Sequence, residues 1–324
     1  MLLSVIIPVY NSENFIDSCI EILSSQSFGD FEAIFVVDKR SSDNSLKKLI
    51  CLSDLPFKVR ILEQDDDMKA SGARNIGLKN ASGDYTWFMD VDDHPSNSFI
   101  KEMMDSISEF DSDIAICNFC YSRSDECCII PDKKYTRKQY NGMDAVLAVN
   151  EGKLSANVWD KVFRTSLIKD SDIRFRKGYS EDYNFVMHSF LNTDRIVYYN
   201  KPLYTYYLHD NSRSKGLGDT IAKRDIEIFE DVARTLKEED SPYYEEFCAI
   251  TLKHILHSLT NTSGKAFSEL SKAEIINESL KYEQKGFSME IFIFKINRKL
   301  FHIIGKTARK LKYSRKRVFF DNDF

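Results

Sequence analysis

Short apolar runs alternate with helically spaced segments along the first third of the chain. Residues 2–9 form a continuous apolar run closed by Pro8 and Asn11, and further runs occupy 31–37, 59–62 and 85–89. Runs this short and this apolar predict strands buried on both faces. Between the first two, Phe15, Ile16, Cys19, Ile20 and Leu23 fall at helical spacing, which predicts a helix over 12–27 capped by Asn11 or Ser12. Two more helices are predicted over 42–52 and 73–81, the second stopped by Gly83. The resulting βαβαβαβ order predicts an α/β fold, a mainly parallel sheet with helices on both faces. A helix over 98–110, a strand over 113–121 and segments around 158–168 and 196–207 are expected to complete it. From about Thr220 the pattern becomes helical with acidic and basic faces. The domain boundary is therefore expected at Gly216-Leu217-Gly218, dividing an α/β domain, 1–215, from a helical region, 216–324.

The chemistry gathers at the carboxyl ends of the predicted strands, where open α/β sheets bind ligands. The first ends in Pro8-Val9-Tyr10-Asn11, the second in Asp38 and the fourth in Asp90-Val91-Asp92-Asp93. Three carboxylates at a strand end are costly unless a positive group neutralises them, and a hard cation with oxygen ligands does so. Such a cation also binds phosphates, so the site suits a diphosphate. The competing reading is a solvated acidic loop, which the position at a buried strand end disfavours. The chain has no G-x-G-x-x-G after the first strand and no G-x-x-x-x-G-K-[ST]. Side chains such as Arg74 or Lys69, with the metal, must then meet the diphosphate charge.

Taken together these segments resemble family 2 glycosyltransferases of GT-A fold. Ser4-Val5-Ile6-Ile7-Pro8-Val9-Tyr10-Asn11 resembles their opening strand. Phe35-Val36-Val37-Asp38 with Ser41-Ser42-Asp43 resembles the uracil-binding segment. Ala73-Arg74-Asn75 and Gly77, then Ala81, Gly83 and Tyr85, resemble the middle helix and its exit. Asp90-Val91-Asp92-Asp93 resembles the metal motif. Trp159-Asp160-Lys161-Val162-Phe163-Arg164 and Glu181-Asp182-Tyr183-Asn184-Phe185 resemble the acceptor-side segments, and Leu203-Tyr204-Thr205-Tyr206 with Ser212 the closing strand and loop. The resemblance spans about 1–215, in family order, and divides it into a nucleotide-sugar half, about 1–95, and an acceptor half, about 96–215.

The resemblance implies a metal-dependent inverting transfer of a hexose-type sugar from a nucleotide-sugar, UDP-linked by preference, to a glycan or lipid-linked glycan acceptor in surface polysaccharide synthesis. It implies Pro8, Val9, Tyr10, Asn11, Asp38, Arg74, Asp90 and Val91 as the nucleotide-sugar site. Within it Tyr10 flanks the base, Asp38 bonds the uracil ring, Arg74 lies near the phosphates and Asp90 holds the ribose or a metal-bound water. Asp92, with Asp93 beside it, would hold Mn2+ or Mg2+, and Asp182 would be the catalytic base, with Glu181 supporting it or contacting the acceptor. An inverting reaction needs the base and the leaving-group site on opposite sides of the sugar. The simpler reading of Glu181-Asp182 is a pair of carboxylates complementing a helix dipole. Lys39-Arg40 depart from the family, which carries an Asp and small residues there, and Lys69 stands where Gly is common. Those departures sustain the alternative of a non-catalytic sugar-nucleotide or glycan-binding scaffold. A nucleotidyltransferase is disfavoured because it would want a Gly-rich basic loop after the first strand.

Composition changes little of this. Hydrophobic residues make up 43% and charged residues 29%, as in ordinary soluble enzymes, and a net charge of −5 argues against nucleic acid as the main partner. The 7 cysteines suggest no disulfide framework. Cys117 and Cys120, on opposite faces of a strand, with Cys127 and Cys128, read as reduced structural thiols rather than a zinc site. His209 reads as a surface or packing residue, and Trp87 and Trp159 as core. No signal peptide or run of about 18 apolar residues is seen, so a cytoplasmic setting is expected. The stretch 291–320 lacks Asp and Glu, and interleaves Lys295, Arg298, Lys299 and Arg309 with Phe294, Leu300, Phe301, Ile303 and Ile304. A basic amphipathic helix suits the anionic inner face of a membrane, as a peripheral attachment. Docking on the chain's own acidic domain, or a subunit contact in an oligomer, is the alternative.

Overall fold

The computed structural model describes residues 1–122, 134–177, 181–207, 218–282, 293–295, 297–305 and 307. Cys127, Cys128, His209, Ser212, Gly216, Leu217 and most of 291–320 lie outside the described residues. The chain divides into two compact units, Met1–Ser212 and Arg213–Phe324.

The first unit runs β1 (Leu3–Val9), α1 (Ile16–Ser24), β2 (Phe31–Asp38), α2 (Ser45–Ile50), β3 (Lys58–Gln64), α3 (Ala70–Asn80), β4 (Tyr85–Phe88), β5 (His94–Pro95), α4 (Phe99–Phe110) and β6 (Ile114–Ser122). It continues with β7 (Arg137–Tyr140), α5 (Gly142–Asn150), β8 (Lys161–Arg164), α6 (Thr165–Asp170), α7 (Glu181–Leu191) and β9 (Ile196–Tyr207). The strands form one sheet in the order β3-β2-β1-β4-β8-β6-β9-β5, with β7 also on β9. From β3 to β4 every pairing is parallel, as the alternating pattern predicts. The far half is mixed, because β8 enters between β4 and β6 antiparallel to both, while β6 and β9 run parallel.

Buried polar groups lock the first half together. Ser4, in the middle of apolar β1, donates to Glu32 at 2.7 Å and accepts the Gly83 amide at 2.9 Å. Glu32 also accepts the Ser82 amide at 2.8 Å, so this buried carboxylate is satisfied. Gly77 lets α3 lie directly on β1: a Cβ there would stand 2.3 Å from Ile6 Cγ2. The helix α1 starts later than its apolar spacing predicts. Ser12 and Glu13 are instead drawn into a loop whose amides bond Ser45 Oγ and Asp43, both at 2.8 Å. Trp87 and Trp159 are core residues, 0% and 4% exposed. Cys19, Cys51, Cys117 and Cys248 are free thiols, whereas Cys120 is disulfide-bonded, against the reduced state expected for it.

The second unit contains α8 (Gly218–Glu238), α9 (Tyr244–Leu259), α10 (Gly264–Leu270) and α11 (Glu274–Ser279). Asp225 on α8 accepts Ser258 Oγ of α9 at 2.5 Å, and the Phe229 and Phe247 rings meet at 6.2 Å. Residues 298–305 are helical; Phe301 is buried, while Leu300, Ile303 and Ile304 are exposed. Among the described residues no helix is long and apolar enough to cross a membrane.

Candidate active site

The carboxyl ends of β1, β2 and β4 build the rim where the sequence concentrates its polar residues. Asn11 takes a left-handed turn, φ 47, which asparagine tolerates, and its Oδ1 accepts the Ser42 amide at 2.8 Å. With the Ser12–Ser45 and Glu13–Asp43 bonds, this joins the loops after β1 and β2 into one wall. Tyr10 stands exposed on that wall, whereas Val9 and Val91 belong to the core. Pro8 is paired opposite Val36 in the sheet. Any ligand contact of Val9 or Val91 therefore falls to the backbone.

Asp38 is buried at the end of β2 and is already engaged. Arg40 grips both carboxylate oxygens, Nε to Oδ1 at 2.8 Å and Nη2 to Oδ2, while its own amide bonds Oδ1 at 2.9 Å. Those bonds hold the Asp38 carboxyl below its ordinary range. Neighbouring cations are paired likewise, Lys39 with Asp65 at 3.6 Å and Lys177 with Asp67. Lys69 precedes α3 with φ 57 and ψ −137, a region of backbone space that glycine fills at little cost and lysine does not.

Arg74, one turn into α3, is the centre of the site. Its guanidinium is 5% exposed and bonds Asp90 through Nη2 at 2.9 Å, Asp182 through Nη1 at 2.9 Å and Glu181 through Nη1 at 3.5 Å. Its third donor, Nε, is buried without a partner. Phe175 lies beneath the guanidinium, 5.4 Å from ring centre to Cζ. Burial works against the arginine charge, but Asp182, Asp90 and Glu181 outweigh it and raise its proton affinity further.

Segments remote in sequence thus converge, the β4 end on one side of Arg74 and the first turn of α7 on the other. Glu181 and Asp182 both lie in that first turn, where carboxylates also complement the helix dipole. Asp182, its side chain 23% exposed, is pushed up to about 6. Burial does most of this and Glu181 and Asp90 add to it, while Arg74 and the Val158 amide oppose it. A carboxylate so placed is charged at neutral pH yet near enough to neutrality to take a proton.

Asp93 is buried and accepts the Tyr204 hydroxyl at 2.5 Å. Burial, then the charges of Asp90 and Asp92, drive its carboxyl well above the ordinary range. Asp92 is half-buried beside it. Tyr204 stacks on Trp159 at 4.5 Å, and Trp159 carbonyl accepts Trp87 Nε1 at 2.7 Å. Lys161, fully buried, braces the segment before it, donating to Asp160 at 2.7 Å, Asn157 carbonyl at 2.7 Å and Ser155 carbonyl at 2.9 Å. Sequence reasoning missed two of these parts. Phe175 sits in an irregular segment with no periodicity to mark it, and the Arg74 bridge is a pairing no local pattern encodes.

Residues 4–147 match the family described as glycosyl transferase family 2. The chain is 31% identical to the uncharacterized glycosyltransferase YibD of Escherichia coli over 219 residues, 66% of this chain and 63% of that one. It is 30% identical over 211 residues to the poly(ribitol-phosphate) beta-N-acetylglucosaminyltransferase TarS of Staphylococcus aureus, 64% of this chain and 35% of that one. Among solved structures, S. aureus TarS 1–349 in complex with UDP-GlcNAc superposes with a TM-score of 0.60 at 20% identity, over 86% of this chain and 90% of that one. The mannosyltransferase PcManGT of Pyrobaculum calidifontis, in complex with GDP-Man and Mn2+, gives 0.56 at 14% identity, over 99% of this chain and 88% of that one. The chain spans less than two thirds of the length of the first curated relatives it matches, 31%, 63% and 62%.

Proposed function

Because the chain belongs to glycosyl transferase family 2 and has the GT-A fold, we propose that it moves a sugar, with inversion, from a UDP-sugar to a glycan or lipid-linked glycan acceptor. The observation that carries this reading is the cluster around Arg74. It brings Asp182 beside the β4 end that bears Asp90, Asp92 and Asp93.

Asp182 takes the proton from the acceptor hydroxyl as that oxygen attacks the anomeric carbon. Burial, chiefly, keeps its proton affinity above that of an ordinary carboxylate, and Arg74 and the Val158 amide keep it ionised at neutral pH. Tyr10 and the joined loops after β1 and β2 flank the nucleotide, with Pro8, Val9 and Asn11 lining the wall. Asp38 reaches the base only in company with Arg40, so donor recognition passes through that pair. Asp90 faces the ribose.

A divalent cation, Mn2+ or Mg2+, fits the residues present. The carboxylates after β4, Asp90, Asp92 and Asp93, are oxygen donors gathered on one short segment; burial first, and the charges of Asp90 and Asp92 after it, raise the Asp93 carboxyl. Asp92 would hold the ion, with Asp93 as a weaker second donor because Tyr204 and burial engage it. When bound, the cation supplies charge stabilisation for the departing diphosphate. Among the described residues no three His, Cys, Asp or Glu side chains form a metal-holding group. With Arg74 committed to carboxylates, the exposed Lys69 is one candidate among the described residues to meet the diphosphate.

TarS, named for glycosylating poly(ribitol-phosphate), and its UDP-GlcNAc complex support a UDP-sugar donor and a surface-polymer acceptor, and the Mn2+ complex of PcManGT supports a metal. The basic, partly apolar stretch 291–320 supports peripheral attachment to an anionic membrane, where a lipid-linked acceptor would lie. The test is a panel of UDP- and GDP-sugars with Mn2+ or Mg2+, monitoring nucleoside diphosphate release. Metal-dependent release that Asp92→Ala and Asp182→Asn abolish is the expected result. Binding without turnover, whatever the acceptor, would favour the scaffold that Arg40 on Asp38 keeps in play.

A further inference from the structure

Arg74 does more in this fold than neutralise. Its two terminal nitrogens face opposite ways, Nη2 to Asp90 at 2.9 Å and Nη1 to Asp182 at 2.9 Å, with Glu181 at 3.5 Å on the same nitrogen. The planar fork spans the gap between the β4 end and the first turn of α7, and Phe175 beneath it limits its tilt. A lysine ammonium, a single point, cannot hold both carboxylates at these distances. Gly77, on the next turn of α3, fixes the depth of the helix on β1 and so the reach of the fork.

We propose that Arg74 is a positioning residue of the transfer: by holding Asp90 on one nitrogen and Asp182 on the other, it sets the base against the donor side of the cleft and makes the state of the base answer to any ligand that engages Asp90. The inference rests on the reading of Asp182 as the base.

Among the described residues, Arg74 from α3, Asp90 after β4, Glu181 from its own helix and the Val158 amide face Asp182. Arg74 and Asp90 act on it with opposite sign. Taking away the guanidinium removes the main attraction on the Asp182 charge, so the proton is held more tightly. Taking away the Asp90 charge removes a repulsion and leaves Arg74 to Asp182 and Glu181, so the proton is released more readily. A donor hydroxyl that bonds Asp90 competes with Arg74 for that carboxylate, leaves more of the guanidinium to Asp182 and Glu181, and so acts in the second direction.

The experiment titrates the full chain carrying carboxyl-13C aspartate by NMR, without donor, and identifies the Asp182 resonance as the one lost in Asp182→Asn. In parallel, the pH dependence of kcat/KM is measured with UDP-glucose, UDP-galactose and UDP-N-acetylglucosamine in Mn2+. Arg74→Gln, which removes the charge, should move the Asp182 midpoint and the acid limb of the profile upward, costing about ten-fold or more in rate at pH 6 and less at pH 8. Asp90→Asn should move the midpoint downward, and it keeps the test open should Arg74→Gln fail to fold. A midpoint unmoved in both variants, with Asp182→Asn inactive, overturns the positioning role and leaves the base assignment standing. Midpoints that move while Asp182→Asn still turns over overturn the base assignment, and the inference with it.

Discussion

At single residues, the site mixes assets with costs. Asp182→Asn should lower kcat by about a hundred- to ten-thousand-fold with little change in donor KM, because only the transition state needs the proton removed. In the parent enzyme kcat/KM should rise through about pH 6, as Asp182 loses its proton, and then level off. Steady-state rates from pH 5 to 8 check both; a flat profile would remove Asp182 from the proton transfer. Lys69 holds a backbone conformation that costs a non-glycine residue about 1–3 kcal/mol. Lys69→Gly should therefore stabilise the fold by about 1 kcal/mol after the added chain entropy, and raise donor KM if the ammonium meets the diphosphate. Urea denaturation and donor titration measure the two effects separately.

Elements carry these residues to their places through a few close contacts. Gly77→Ala should cost about 1–3 kcal/mol, since α3 must lift from Ile6, and should lower kcat by moving Arg74. Ile6→Ala in the same chain should restore part of both, which thermal melts and rates would reveal. Asp113 ties three segments, accepting Arg164 Nε at 2.5 Å, Thr193 Oγ1 at 2.5 Å and Arg195 Nη2 at 2.6 Å. Burial pushes its carboxyl up, but these donors outweigh it and hold it below the ordinary range. Its contribution to stability is thus present above the unfolded carboxylate range, about pH 4, and is lost as pH falls through the lower folded value. Asp113→Asn should reduce stability at pH 7 by about 1–3 kcal/mol, since water reaches both arginines, and flatten the acid side of the pH–stability curve.

How far the sequence could be read depends on the range of the forces. The strands β1, β2 and β4 stand in the apolar pattern because burial acts on nearly every residue of them, and the helix α4 because it acts on every third or fourth. The helix α1 is over-read at its start because Ser12 and Glu13 serve a loop 30 residues away, which periodicity cannot express. The carboxylates of the site announce themselves as strand-end chemistry, and Asp182 through its resemblance. That Arg74 joins them, and that Arg40 occupies Asp38, depends on long-range packing that no local rule encodes. The antiparallel entry of β8 is equally silent, since a four-residue strand carries no mark of direction.

For the molecule as a whole, the charge is unevenly placed along the chain. The net charge is −5, yet 291–320 contains no Asp or Glu, and the described helix 298–305 presents Leu300, Ile303 and Ile304 outward. On vesicles with a third phosphatidylglycerol, the full chain should float and a chain ended before Ile291 should not, with capture falling as salt rises. Equal flotation of both would assign the stretch to the protein's own surface.

Lys161 offers a use beyond catalysis. Its amine is enclosed by carbonyl and carboxylate oxygens and has no access to water. Reagents that acylate or methylate amines will therefore decorate the outer lysines while sparing this one, so the chain can be tethered or dyed without disturbing the brace beneath Trp159. The slow appearance of label on Lys161, read by mass spectrometry, becomes a clock for the opening of the sheet itself.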